Sequence, residues 1–166
     1  DRRFFEDYKN HLLTLVGIRT VDAEQDQFIQ IVGEDITRES VLAGLKDVGR
    51  LITYNGRSKP DKIKGRIGFD FPVISAQVGV CLDDEFSHVD LVPLCWSKNL
   101  YGGQKVIERS FGLSRMLPGK DGKWAMETWR RYLQSGERNY LDELLAYNRE
   151  DVYMLRELEL RLNKMR

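Results

Sequence analysis

From Tyr140 to Leu162 the chain reads YLDELLAYNREDVYMLRELELRL, the longest helical pattern it contains. At 100° per residue, Leu141, Leu144, Leu145, Val152, Leu155, Leu158 and Leu162 share one broad apolar face. A helix of that length with so wide a stripe has to lie on the core, and the remaining elements have to cover it. Asp151 projects from within the stripe, near its edge, and Tyr147 lies one turn earlier on the same side. A carboxylate on a core-facing stripe is costly unless a cation pairs it. Glu143, Arg149, Glu150 and Arg156 are predicted to point outward.

A chain of 166 residues can bury a proper core, and it is read here as a single domain over residues 1–166. Its 26 basic and 26 acidic residues cancel, so any nucleic-acid site must be a local patch. Cys81 and Cys95 form no C-x-x-C pair and sit among apolar residues, which predicts reduced thiols and a cytoplasmic setting. No run approaches about 18 continuous apolar residues, and no signal-peptide pattern opens the chain, so no membrane partner is expected.

Residues 1–10 are charged and aromatic without a period and read as a connector. His11 to Val21 suits a strand, the polar residues 22–26 a hairpin turn, and Gln27 to Val32 a second strand. Val41, Leu42, Leu45 and Val48 are spaced for a helix from Arg38 to Val48. Leu51 to Tyr54 is a third strand, Phe69 to Gly79 a helix entered through Pro72, and Ser87 to Leu91 a brief strand whose Asp90 can cap the next segment. Short helices are predicted from Gln104 to Phe111 and from Lys123 to Gln134, each closed by a glycine. A hairpin followed by strand–helix alternation predicts an α/β fold, a mixed sheet flanked by helices.

The stretch Arg57 to Gly68 (RSKPDKIKGRIG) reads as a loop. Arg57, Lys59, Lys62, Lys64 and Arg66 against Asp61 give it a net charge of +4. It is either a solvated surface loop or, with Asn55 at its root, a contact for the phosphate backbone of DNA or RNA.

Three acids end elements: Asp70 beyond the third strand, Asp90 on the fourth and Asp151 on the last helix. Such positions can converge above one sheet edge, where α/β sites usually lie. Oxygen donors without a His or Cys cluster suit Mg²⁺ or Mn²⁺, which serve phosphoryl transfer.

These residues carry a resemblance. Leu51-Ile52-Thr53-Tyr54-Asn55-Gly56, Phe69-Asp70-Phe71-Pro72, His88-Val89-Asp90-Leu91, Leu100-Tyr101-Gly102-Gly103 and Leu145-Ala146-Tyr147-Asn148-Arg149-Glu150-Asp151-Val152 together resemble the ribonuclease-H-like exonuclease domains of the DEDD superfamily. The likeness runs from about His11 to about Leu158. It implies that Asp70 and Asp151 are metal ligands and that Tyr147 orients the attacking water, as in the Tyr-type branch. It implies that Asp90 is structural, with a metal-ligand role as the alternative. It also implies a two-metal-ion 3′–5′ exonuclease acting on single-stranded 3′ ends of DNA or RNA.

Two departures stand against the pattern. Lys59 to Gly68 is inserted between Asn-Gly and Phe-Asp, beside the expected site. The superfamily's first motif, Asp-x-Glu, does not precede the His11 strand. Either the 166 residues begin just after the strand that carries it, or Phe4-Phe5-Glu6-Asp7 is a degenerate version. The missing motif keeps a second reading open: a ribonuclease-H-like module that binds nucleic acid or a protein without cutting. A structure-specific endonuclease on the same fold is a third.

Overall fold

The computed structural model describes residues 10–165. Strand β1 (Leu15–Val21) pairs antiparallel with β2 (Asp26–Val32), in register from Leu15 opposite Val32 to Val21 opposite Asp26. The turn is fixed by Asp22, whose carboxylate accepts from the N–H groups of Glu24 (2.8 Å) and Gln25 (2.9 Å). The strand begins at Leu15 and not at His11, because the preceding segment turns toward another element: the Leu13 N–H donates to Gln77 Oε1 at 2.8 Å.

Helix α1 (Arg38–Gly44) opens with a capping box between Thr37 and Ser40. It stops short of Val48. Gly44 lies so close to the hairpin that an added Cβ would sit 2.6 Å from Ile29 Cδ1, and Asp47 turns the chain at a φ of 63°. Strand β3 (Arg50–Thr53) follows, then helices α2 (Asp70–Val78) and α3 (Leu82–Glu85), then β4 (Ser87–Asp90). β3 and β4 pair in parallel, Arg50 opposite Ser87 through Thr53 opposite Asp90. Helix α4 (Leu91–Ser97) continues directly from β4, with the Asp90 side chain accepting from the Val92 N–H. Helices α5 (Gln104–Ser110), α6 (Gly122–Ser135) and α7 (Arg138–Lys164) complete the chain. The sequence pattern did not single out α3 and α4, which are one and two turns long. Among the described residues no helix is long and apolar enough to cross a membrane.

The mixed pairing expected of the fold is present, distributed among the described residues over two two-stranded ladders, one antiparallel and one parallel. Helix α7 links them. Its first half contributes Leu141 and Leu144 to a core with Trp129, against which Leu15 and Val32 pack. Its second half contributes Leu158 and Leu162 to a core with Leu91, Cys95 and Ile107, against which Ile52 and Val89 pack. Both leucines are fully buried, worth about 1.5–3 kcal/mol each in area removed from water. A third core of Val41, Phe71, Ile74 and Val80 fills the space between the hairpin, α1 and α2.

The helix presses hardest on the hairpin at Gly17, where a Cβ would meet Asn148 Oδ1 at 2.3 Å and Val152 Cγ2 at 3.0 Å. Gln30 Nε2 locks the contact by donating to Asn148 Oδ1 (2.9 Å) and to the Leu145 carbonyl (2.8 Å).

One expectation for this helix needs correction. Glu150 does not point outward: its side chain is largely buried and accepts from the backbone N–H groups of Met116 and Leu117. Arg156 does keep an exposed side chain, whose guanidinium pairs with the buried Glu159 at 2.7 Å, and Arg50 reaches the same carboxylate at 2.9 Å.

Candidate active site

Helical spacing puts Tyr147 and Asp151 one turn apart on α7, and α5 crosses beside them. Gln104 Nε2 donates to the Asp151 backbone carbonyl at 2.9 Å, which ties the two helices. The Tyr147 ring lies 5.4 Å from Trp124 of α6, and its hydroxyl accepts from Lys105 Nζ at 2.8 Å. Between these elements is a pocket of about 260 Å³, lined by Gly103, Gln104, Lys105, Asp121, Tyr147 and Asp151 among others. Burial, with the nearby Asp151 charge adding to it, raises the Tyr147 pKa, so the hydroxyl stays a neutral phenol at physiological pH. Burial lowers the pKa of Lys105, with Asp151 acting against that shift.

The partner of Asp151 is a side chain that the sequence pattern did not mark. Arg115, in the loop after α5, donates from Nη1 to Asp151 Oδ1. The same guanidinium grips Glu108 through two bonds, Nε to Oε2 at 2.6 Å and Nη2 to Oε1 at 2.7 Å. Glu108 is 1% exposed, so this fork neutralises a carboxylate that water cannot reach. The cation that justifies Asp151 on a core-facing stripe is thus supplied by the chain itself. Burial still leaves the Asp151 pKa above the usual range, although Arg115 and Lys105 pull it down. Burial works against the charge of Arg115, but Glu108 and Asp151 outweigh it and hold the guanidinium charged.

Asp70 opens α2 at the end of β3. The inserted loop does not displace it, because the chain on either side is stitched across the loop's base. The Gly68 N–H donates to the Arg57 carbonyl (2.7 Å), Phe69 to Asn55 (2.6 Å) and Phe71 to Gly56 (2.8 Å). The crossing is so close that a Cβ on Gly68 would lie 2.3 Å from the Asn55 carbonyl oxygen, and Asn55 itself turns at a φ of 68°. Protein surrounds Asp70 on most sides and pushes its pKa up to about 7, with repulsion from Asp90 and Asp151 adding to the shift. Its surface nonetheless remains open to solvent. Hydration there moderates the displacement, and the upward direction is what the geometry supports. Salt screens charges over about 10 Å, so the repulsion felt at Asp70 is that of nearby acids.

Asp90 is fully occupied by its own backbone surroundings. Oδ1 accepts from the N–H groups of Asn55 (2.8 Å) and Val92 (2.9 Å), and Oδ2 accepts from Arg57 Nη1 (2.7 Å). It caps α4 and fastens the end of β3, so its position serves the frame around the cleft.

The basic loop is more ordered, and less basic on its outside, than its composition indicates. Asp61 organises it: Oδ1 accepts from the N–H groups of Ile63 (2.8 Å) and Lys64 (2.6 Å), Oδ2 from that of Arg66 (2.8 Å). Arg57, expected to contact phosphate, is 6% exposed and is held between Asp90 and Asp61. That assignment is corrected: a guanidinium buried between two carboxylates is not offered to a ligand. Lys59 is also engaged, at 2.6 Å from Asp84 of α3, in an exposed pair that a ligand can compete with. Lys62, Lys64 and Arg66 are exposed.

Among the described residues no group of three or more His, Cys, Asp and Glu side chains is gathered to hold a metal ion. Asp70 and Asp151 do supply oxygen donors of the kind Mg²⁺ and Mn²⁺ take, and a cation would offset the burial and, after it, the repulsion that raise the Asp70 pKa. The donors present therefore fit such an ion in part. Glu6 and Asp7, the alternative first-motif acids, lie outside the described residues. Arg115, Glu108 and Lys105 were missed by sequence reasoning. Glu108 and Arg115 are seven residues apart across a turn, and no periodicity links them.

Compared with protein families, residues 5–163 match the family described as the RNase H superfamily. No curated protein and no solved structure matches the chain.

Proposed function

We propose, from the premise that this chain belongs to the RNase H superfamily, that it is a metal-dependent 3′–5′ exonuclease of the Tyr-type DEDD branch. Membership brings with it nuclease-type activity, a nucleic-acid partner and the usual reliance of such nucleases on divalent metal. The finer reading rests on one observation: Tyr147 and Asp151 line the same pocket. We assign the substrate as the single-stranded 3′ end of DNA or RNA. Asp70 and Asp151 would hold the ion, and Glu108 with Arg115 fixes the direction in which Asp151 faces. A bound Mg²⁺ or Mn²⁺ supplies Lewis acidity and an activated water to phosphodiester hydrolysis. Tyr147, anchored by Lys105, presents a neutral hydroxyl that can orient a water by hydrogen bonding. Lys62, Lys64 and Arg66 contact the phosphate backbone, and Asn55 holds the root of their loop. The whole chain is taken as one domain. The free thiols Cys81 and Cys95 support a cytoplasmic setting.

A second reading, a module that binds nucleic acid without cutting, is favoured by the Arg115–Asp151 pair, since that carboxylate is already neutralised. The two readings part in an assay on a 5′-labelled single strand with Mn²⁺. The exonuclease reading requires a ladder shortening from the 3′ end, lost in Asp151→Asn and slowed in Tyr147→Phe with metal affinity retained. Strand binding without any ladder, unchanged in Asp151→Asn, would establish the binding module instead.

A further inference from the structure

Beyond the pocket, the side of the molecule next to it carries an aromatic feature that the proposed chemistry does not use. Tyr101 is 56% exposed, unusual for a large ring held in a fixed turn. Its place is set on both sides. The Tyr54 hydroxyl donates to the Gly102 carbonyl at 2.7 Å, and the Leu100 N–H donates to the Cys95 carbonyl at 2.9 Å. Trp96 of α4 stands close by, backed by the buried Arg57 guanidinium 5.5 Å from its ring centroid. Lys64 reaches over from the inserted loop and places its ammonium 4.2 Å from the Trp96 centroid and 4.7 Å from that of Tyr101. Two rings thus flank a flexible, solvent-facing cation, and their centroids are less than about 9 Å apart. Lys62 and Arg66 add positive charge on the same loop, and Ile63, 52% exposed, adds apolar surface.

This group leads straight to the pocket. Gly103, which lines it, is two peptide units from Tyr101, at most about 7.6 Å of chain. Gly102 and Gly103 carry no side chains, so nothing projects between the ring and the pocket mouth at these two positions. A ring with a wet face, a companion ring, exposed cations and a short link to a pocket lined by Asp121 and Asp151 suit a polyanion whose units each carry a flat π face.

We propose that Tyr101 and Trp96 form a stacking platform for a nucleobase of single-stranded nucleic acid, one or two nucleotides from the bond in the pocket. Lys64 leaves the rings for a phosphate when the base arrives. Binding thereby combines stacking with charge, and it is indifferent to sequence because every base presents a π face. This rests on the reading of the chain as a nucleic-acid-processing domain.

The test measures binding of the protein to two fluorescein-labelled single strands with the same number of phosphates, one oligo(dT) and one wholly abasic. Stacking predicts that the wild type binds oligo(dT) more tightly, by roughly 5- to 150-fold for one stacked base. In Tyr101→Ala that preference collapses while the abasic affinity is unchanged, and Tyr101→Phe keeps it. Because Tyr101 is exposed, circular dichroism is expected to show all three proteins equally folded. Equal affinity of the wild type for both strands, or an intact preference in Tyr101→Ala, would overturn the platform and leave the nuclease reading standing. Binding of neither strand would overturn both.

Discussion

The guanidinium of Arg115 decides more about the site than any residue the sequence pattern selected. It satisfies a buried Glu108 and steers Asp151 at once. Removing it leaves an enclosed carboxylate with no counter-charge, the case in which a buried pair matters most. Arg115→Ala is therefore expected to lower stability by about 3–5 kcal/mol, read from the shift of the urea unfolding midpoint. Replacing both partners, as Arg115→Met with Glu108→Leu, should recover much of the loss, because no lone charge stays buried. An unchanged midpoint in Arg115→Ala would show that the fork contributes nothing to the fold. The sequence shows that Asp151 needs a cation but not which one, since a helical wheel displays residues of one helix only. A partner arriving from a turn 36 residues earlier leaves no periodic trace. Tyr147 was legible for the opposite reason: its relation to Asp151 is a single helical turn.

At the scale of elements, the inserted loop shows where composition misleads. Five cations in ten residues suggested a wholly basic surface, but Arg57 points inward and Lys59 pairs with α3. What could be read was that the motif resumes after the insertion, and the hydrogen bonds across its base are the physical reason. The loop's own order comes from Asp61. Its side chain is 2% exposed. That burial disfavours the charge, but the N–H groups of Lys64, Arg66 and Ile63, with Arg57, outweigh it and hold the pKa below the ordinary value. A carboxylate with a depressed folded pKa contributes stability that is present above its unfolded value, near 4. The contribution is lost as pH falls through the folded value. Amide exchange at Ile63, Lys64 and Arg66 should therefore be slow above about pH 4 relative to the intrinsic rate and lose that protection below it. In Asp61→Asn the protection should be weak throughout and insensitive to acid. Protection that persists in Asp61→Asn would show that the loop is ordered by something else. Strand and helix ends slipped for similar reasons of context: β1 starts late because Leu13 bonds to Gln77, and α1 ends early because Gly44 meets Ile29.

For the molecule as a whole, the question is whether two separate ladders make one folding unit. Among the described residues α7 is the long helix they share, its halves in different cores, and the third core sets Val16, Ile18 and Ile31 of the hairpin together with Leu51 of β3. A continuous 27-residue helix cannot lose one core and keep the other without exposing half its stripe. The apolar pattern from Leu141 to Leu162 made that helix legible, and it marked correctly where the cores would form. It could not tell how the strands would divide, because ladder pairing depends on contacts far apart in sequence, such as those of Gln30 with Asn148 and of Gly17 with α7 that seat the hairpin. The tryptophans report on the two halves separately: Trp124 and Trp129 lie on α6 beside the hairpin, and Trp96 lies on α4 beside β4. Variants keeping one reporter, with the other tryptophans changed to Phe, should unfold in urea at coincident midpoints once corrected for the stability each change removes. Leu158→Ala, which opens a cavity in the β4-side core, should lower stability by about 2–5 kcal/mol. It should move the hairpin-side Trp129 transition as far as the Trp96 transition. A Trp129 transition that stays in place while that of Trp96 moves would divide the chain into two units, and the pocket lined from α5, α6 and α7 would then lie across a joint instead of within a domain.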